Sequence, residues 1–439
     1  HMKKFLLGVV CGGVLAVLAG LVLIFAMVRL ADRRPAIADN AVLVLRLDGE
    51  IPERAPVDIP LPMFEDQSRS TVRDVWSTLK RAADDSRIKA VIVVPRRVDA
   101  GWGKIQEIRD SLAGFRKSGK PVYAFLRFPS AKDYYIATAA DRIYAGPEDH
   151  LDLKGMRVEA MYLRGSLDKI GVSMEVVHAG KYKDAYDMFT RTSMSPETRE
   201  VMNQVLDTLY SNLVGAIAAG RKKDAAAVRE LIDRGPFVAS EALKAGLIDK
   251  LGYEDDLIAD LQGAVKQTSV KKVDAREYLR SIPPDPSRTR IALVVAEGTI
   301  LQGGGDDGFG SSGMVRSAAF AKLLRSVKSD STVKGVIVRI DSPGGDAIAS
   351  DDILHEMKEL SKAKPMVISM SDVAASGGYF MAVTGDPIVA YPGTITGSIG
   401  VITAKPNLKG LYDKLGVSKD VLMRGRFAGL DSDYKPLSA

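Results

Sequence analysis

Apolar residues in this chain fall into short blocks separated by helical stretches, after one opening run of a different kind. Residues 5–28, FLLGVVCGGVLAVLAGLVLIFAMV, carry no charge. As a helix at about 1.5 Å per residue the run reaches roughly 36 Å, beyond the apolar core of a bilayer. It continues straight into Arg29, Arg33 and Arg34, without the small-residue exit of a cleaved leader, and is expected to be an uncleaved anchor. Lys3 and Lys4 on one side oppose those arginines on the other, so charge does not set its orientation.

Beyond the anchor the pattern occurs twice. AVLVLRLDG (41–49) and RIALVVAEGTI (290–300) both read as strands. SRIKAVIVV (86–94) matches STVKGVIVR (331–339), SGKPVYAFL (118–126) resembles KAKPMVISM (362–370), and LDKIGV (167–172) matches YDKLGV (412–417). The offset is near 245 residues, the size of a domain and too long for a solenoid repeat. Helical stretches such as 102–115 and 349–360 lie between the strands. Short apolar strands alternating with helices predict two α/β domains with mostly parallel sheets, over 41–205 and 289–439. The intervening 206–288 reads as a helical segment, then a polar, proline-bearing connector over 268–289. Residues 301–314, with six glycines and little to bury, read as a loop near the second sheet.

Composition removes several function classes. The 439 residues are 46% hydrophobic, enough for two or three real cores. The net charge of +6 is spread along the chain, and aromatics are not interleaved with the basic residues, which argues against a nucleic-acid surface. With Cys11 the only cysteine, neither a disulfide framework nor a cysteine-built zinc site is available. Nothing in the chain implies a metal, nucleotide or organic cofactor.

Two glycine-rich turns carry the candidate chemistry. DSPGGD (341–346) follows a buried-type strand, and its glycines permit a bend that presents backbone N–H groups. Such donors could hold a developing oxyanion, or the segment could be an ordinary βα turn. VAASGGYF (373–380) follows the next strand and puts Ser376 at the carboxyl side of the sheet, where open α/β sheets place ligands. Ser376 is a small turn residue or a nucleophile, and Gly377 could add an N–H donor. A nucleophile needs a base. His178 ends a strand-like segment and His355 falls inside a helix, so neither is well set for the task. A buried lysine can serve instead, because burial disfavours its ammonium. HAGKYKDA (178–185) aligns with MRGRFAGL (423–430) at the 245-residue offset, setting Lys183 opposite Ala428. Ser376 in turn falls opposite Ala131 or Lys132. Each repeat lacks what the other carries, so one site could be assembled from two halves, although drift would leave the same trace.

At these residues the chain resembles the signal peptide peptidase A (protease IV) family in its long bacterial form. The marks are DSPGGD, AASGGYF (374–380), TGSIGV (396–401), and AGKYKDAYDMF (179–189) followed by MSPETRE, and the resemblance runs from the anchor to the end of the chain. It implies Ser376 as nucleophile, Lys183 as general base, Gly344 and the Gly377 N–H as oxyanion donors, and Ser398 as the hydroxyl that orients the lysine. It also implies tandem-duplicated domains of the crotonase and Clp-protease type. A single-pass anchor in the bacterial cytoplasmic membrane would leave the catalytic part on the periplasmic side, in a homotetramer that degrades cleaved signal peptides and other unfolded apolar peptides. The family's second domain continues past the equivalent of Ala439, so on the resemblance this chain is C-terminally short.

The function expected is therefore a membrane-anchored serine endopeptidase with a Ser/Lys dyad, bound to lipid through its N-terminal helix. Two rivals stand beside it. A crotonase-like acyl-thioester enzyme would leave the Ser/Lys pair unexplained, and a non-catalytic scaffold would hold peptides without cutting them.

Overall fold

The computed structural model describes residues 12, 13, 18, 20, 34–54, 70–283, 287, 289–304 and 313–437. The expected anchor, 5–28, lies outside these residues apart from Gly12, Gly13, Leu18 and Gly20. No helix among the described residues is long and apolar enough to cross a membrane.

Seventeen strands are described, and two parallel sheets organise the molecule. The first contains β1 (Ala41–Glu50), β2 (Ile88–Asp99), β3 (Val122–Leu126), β4 (Arg142–Ala145), β8 (Lys250–Leu251) and β9 (Lys271–Asp274), in the order β8-β4-β3-β2-β1-β9. The second contains β10 (Arg290–Glu297), β13 (Val333–Ser342), β14 (Met366–Ala375) and β15 (Ile388–Val389) in that order, with β16 (Ile395–Gly397) also on β14. Three small sheets complete the set. β5 (His150–Leu151) pairs with β7 (Phe237–Val238), β11 (Thr299–Leu301) with β12 (Met314–Arg316), and β6 (Ser173–His178) with β17 (Ile402–Asn407).

The helices repeat in step with the strands. Val72–Asp84 corresponds to Ser317–Ser329, Trp102–Arg116 to Ala347–Ser361, and Arg164–Ile170 to Lys409–Leu415, each at the offset of the sequence repeat. A strand covered on both faces must be apolar throughout, so β1 and β3 read as continuous runs and not as alternating ones. In the first half one face packs on Val72–Asp84 and Trp102–Arg116 through Leu79, Ile105, Ile108 and Leu112. Leu257 and Leu261, from helix Glu254–Ala264, cover Val42, Ile92 and Tyr123 on the other face. In the second half Phe320, Leu324, Ile353 and Met357 pack on Val338, Ile340 and Ile368.

The stretch expected as a connector behaves otherwise. Lys271–Asp274 adds to the first sheet as its edge strand, and helix Ala275–Ser281 buries Tyr278 in the first core. Only Val273, Ala275 and Tyr278 turn inward there, too few for an apolar run to be visible in the sequence.

One ladder crosses between the halves. β6 and β17 run antiparallel, from Ile402 opposite His178 to Asn407 opposite Ser173. The ladder is extended by the Ala179 N–H, which donates to the Val401 carbonyl at 2.9 Å. Proline at Ala179 removes that donor. We expect Ala179→Pro to lower amide-exchange protection across 173–178 and 402–407 together, while the two large sheets keep theirs. Unchanged protection in both segments would show that the ladder does not depend on this bond.

Candidate active site

β14 ends at Ser376, which sits at φ 51°, ψ −118° and leads directly into helix Gly377–Ala382. A non-glycine residue in this region is strained and persists only where its surroundings dictate it. Here they do. The Ser376 N–H donates to the Gly397 carbonyl at 2.9 Å, and the Ser376 carbonyl accepts from the Phe380 N–H at 2.8 Å. The two following glycines are required by crowding, since a Cβ on Gly377 would stand 2.4 Å from Ser350 Oγ and one on Gly378 would stand 2.7 Å from the Ser342 carbonyl oxygen.

The neighbouring strand, β13, ends in the turn Ser342–Gly345. Ser342 Oγ donates to the Gly298 carbonyl at 2.7 Å and accepts from the Gly344 N–H at 3.1 Å. Gly344 has φ +96°, and a Cβ there would lie 2.5 Å from the Gly377 nitrogen and 2.8 Å from Ser376 Cβ. The two turns are thus in backbone contact, which only glycine permits. The sequence suggested an oxyanion donor at Gly344, but that N–H is directed to Ser342 and the residue is buried. Gly345 is exposed, and its nitrogen would be 3.3 Å from a Cβ on Gly377. The sequence does not distinguish these two N–H groups, because their directions depend on the torsions of the turn.

Lys183 comes from the other half of the chain, on the turn after β6, and is 4% exposed. Its Nζ lies 2.9 Å from Ser376 Oγ, 2.6 Å from the Ser398 carbonyl oxygen and 3.1 Å from Ser398 Oγ. Burial pushes the ammonium below its ordinary pKa, and the carboxylate of Asp184 acts in the opposite direction. Asp184 is itself held: Thr198 Oγ1 donates to it at 2.8 Å, at the start of the long helix Pro196–Arg221. Ser398, like Ser376, has a positive φ, of 50°. A neutral amine has two N–H donors and one lone pair, which matches two acceptors on Ser398 and one hydroxyl on Ser376. In that state the Ser376 O–H donates to Lys183 Nζ, the arrangement in which a lysine can accept a proton from serine.

The structure therefore brings Ser376, Lys183 and Ser398 together, with Gly344 and Gly377 against the serine. None of the three described histidines is bonded to this group. His178 Nδ1 contacts the Gly180 carbonyl at 2.9 Å, His355 is exposed on helix Ala347–Ser361, and His150 stacks on Phe128. Among the described residues, no cluster of three or more His, Cys, Asp or Glu side chains could hold a metal.

Known proteins share these segments. The family model for Peptidase family S49 matches residues 114–268 and 358–439, more than half of the chain. The chloroplastic serine protease SPPA of Arabidopsis thaliana is 37% identical over 81% of this chain and 54% of its own length. Protease 4 of Haemophilus influenzae is 31% identical over 92% of this chain and 66% of its own length. A putative signal peptide peptidase SppA of Enterococcus faecium is 28% identical over 45% of this chain and 57% of its own. The chain spans between 54% and 66% of the length of these relatives. Both matched segments include part of the site, Lys183 in the first and Ser376 and Ser398 in the second, and the chain belongs to Peptidase family S49.

Proposed function

We propose that this protein is a serine endopeptidase in which Ser376 is the nucleophile and Lys183 its general base. The observation that carries the reading is the 2.9 Å separation of Lys183 Nζ from Ser376 Oγ at a lysine with almost no exposure. Neutral Lys183 takes the hydroxyl proton as Ser376 Oγ attacks the scissile carbonyl, and the ammonium formed keeps its donors on Ser398. The Gly377 and Gly345 N–H groups stabilise the tetrahedral oxyanion, while Gly344 provides the close approach that sets their spacing. Lys183 then gives its proton to the leaving amine, leaving an acyl-enzyme on Ser376. A water deprotonated by Lys183 attacks this ester and releases the second product, returning the proton to Ser376.

Substrates on this reading are unfolded apolar peptides, cleaved signal peptides among them. Ile399 and Val401 support it, since both are exposed apolar side chains on the segment that carries Ser398. A peptide would bind extended against backbone, with its side chains entering apolar surroundings. The crotonase and Clp-protease ancestry, the membrane anchor with a periplasmic catalytic part, and the tetramer belong to the same proposal and rest on the family resemblance.

Cleavage of a fluorogenic apolar peptide tests the assignment. We expect Ser376→Ala to reduce turnover on the order of 10⁴-fold or more. Turnover unchanged in that variant would eliminate Ser376 as the nucleophile. Retained peptide binding without turnover in the unaltered protein would instead favour a scaffold.

The pH dependence follows from the burial of Lys183. The active form is the neutral amine, so kcat/KM rises with pH through a single ionisation below the ordinary lysine value of about 10.4. Replacing Asp184 with Asn removes the carboxylate that favours the ammonium, and should move this limb to lower pH. A limb that moves upward, or does not move, would mean that the titrating group is not Lys183.

Gly344→Ala tests the contact between the turns. With a Cβ at 2.5 Å from the Gly377 nitrogen and a positive φ, the turns must separate. We expect kcat to fall about 10²-fold or more, the scale of losing one oxyanion donor, with thermal unfolding still cooperative. A kcat within threefold of the parent would show that their spacing does not matter.

A further inference from the structure

Behind the site, helix Trp102–Arg116 of the first half points its N-terminus into the second half. Asp372, four residues before Ser376, accepts from the Gly101 N–H at 2.6 Å and the Lys104 N–H at 2.8 Å. It thereby satisfies donors that a helix start leaves without an internal partner. The approach is close: a Cβ on Gly103 would be 2.7 Å from the Ser371 carbonyl oxygen.

Two cations are buried in this contact, and each faces carboxylates of the opposite half. Lys104, 6% exposed, lies 2.7 Å from Asp341 and 3.8 Å from Asp372, with Glu53 of its own half at 4.0 Å. It also donates to the Ile51 carbonyl at 3.1 Å. Arg339, 7% exposed, lies 2.9 Å from Glu53 and 2.7 Å from Glu107 of the first half, and donates to Ser369 Oγ and Ser371 Oγ at 3.0 Å each. Such a buried cluster is poor evidence for stability, because desolvation offsets the attraction, although removing one partner is costly. What it does well is fix geometry.

Asp341 is where this cluster reaches the site. One carboxylate oxygen faces Lys104, and the other accepts the Val373 N–H of β14 at 3.0 Å. Its backbone leads directly into the Ser342–Gly345 turn, and its carbonyl accepts from the Gly298 N–H at 2.8 Å. The same side chain is therefore bonded to the strand that ends at Ser376 and rooted in the strand that supplies the oxyanion turn.

We propose that Lys104 is a positioning residue for the reaction: by holding Asp341 between β13 and β14 it sets the distance from Ser376 to the oxyanion donors. The proposal rests on the reading of Ser376 as the nucleophile. Lys104 touches no reacting atom and acts through Asp341, so its removal should affect the chemical step more than peptide binding.

The test compares Lys104→Met with the double variant Lys104→Met/Asp341→Asn in the full chain. The apolar peptide is the substrate, and the burst of a serine-acylating ester counts competent sites. Lys104→Met leaves Asp341 and Asp372 buried without their cation. We expect kcat per titrated site to fall at least tenfold, with KM within threefold. The double variant removes the excess charge and keeps a side-chain carbonyl for the Val373 N–H, so kcat should return to within threefold of the parent. A Lys104→Met protein with parental kcat per site would overturn the proposal, as would a double variant no faster than the single one. If Lys104→Met does not fold, Lys104→Gln takes its place with the same readouts: parental kcat per site refutes the proposal, and a loss of at least tenfold that Asp341→Asn restores supports it. Ser376→Ala is the control. If it turns over like the parent, the nucleophile assignment fails and this inference with it. If it is inactive while Lys104→Met is unaffected, only the positioning role is lost.

Discussion

An amine buried without a carboxylate partner is the constraint on which this site depends. Burial disfavours the ammonium, and a buried amine must still have its polar atoms satisfied. Lys183 meets both conditions through Ser398 and Ser376, which belong to the other repeat. The β6–β17 ladder brings the two segments into register, and the close packing of Gly400 on the Ala179 carbonyl leaves no room for a side chain there. The carboxylate of Asp184 opposes the effect of burial, and its bond to Thr198 fixes where that charge sits. The catalytic reading thus depends on how two domains are joined as much as on which residues they contain.

The serine side is organised by a different cost. Ser376 and Ser398 both occupy positive φ, each costing on the order of 1–3 kcal/mol, and the surrounding bonds must hold them there. The Ser376–Gly397 and Ser376–Phe380 bonds do so locally. Glycines at 344, 377 and 378 let the two turns touch, while the buried charges around Asp341 and Asp372 tie the strands beneath them to a helix of the first half. Strain at the two serines is therefore supported by packing and electrostatics in the strands behind them.

Much of this was legible in the sequence, for identifiable reasons. Fully covered parallel strands show as apolar blocks, and the duplication places three helices of the first half 245 residues from their counterparts in the second. Ser376 stood out as a serine before two glycines at a strand end, which the residues alone left as a turn residue or a nucleophile and the AASGGYF motif resolved. Lys183 emerged from the comparison of repeats and from the AGKYKDAYDMF motif, since its partner is 193 residues away and no local spacing links them. The direction of the Gly344 N–H, toward Ser342, was not legible because adjacent glycines differ only in where the turn directs their N–H groups. Residues 271–281 passed for a connector because Lys271 and Lys272 are exposed and few side chains face the core. Nothing in the sequence marks Lys104 or Arg339 as buried, because their carboxylate partners lie in distant segments.

The division of the site between the repeats has a consequence for how the protein comes into being. Synthesis adds roughly 5–20 residues per second, and N-terminal domains begin folding first. The first half can complete its sheet while the second is still being made, yet Lys183 then has neither Ser376 nor Ser398 beside it. The acceptors arrive only when β17 is available to pair with β6, late in the described chain. Under the proposed chemistry the lysine and its two serines can meet only once both repeats have been made.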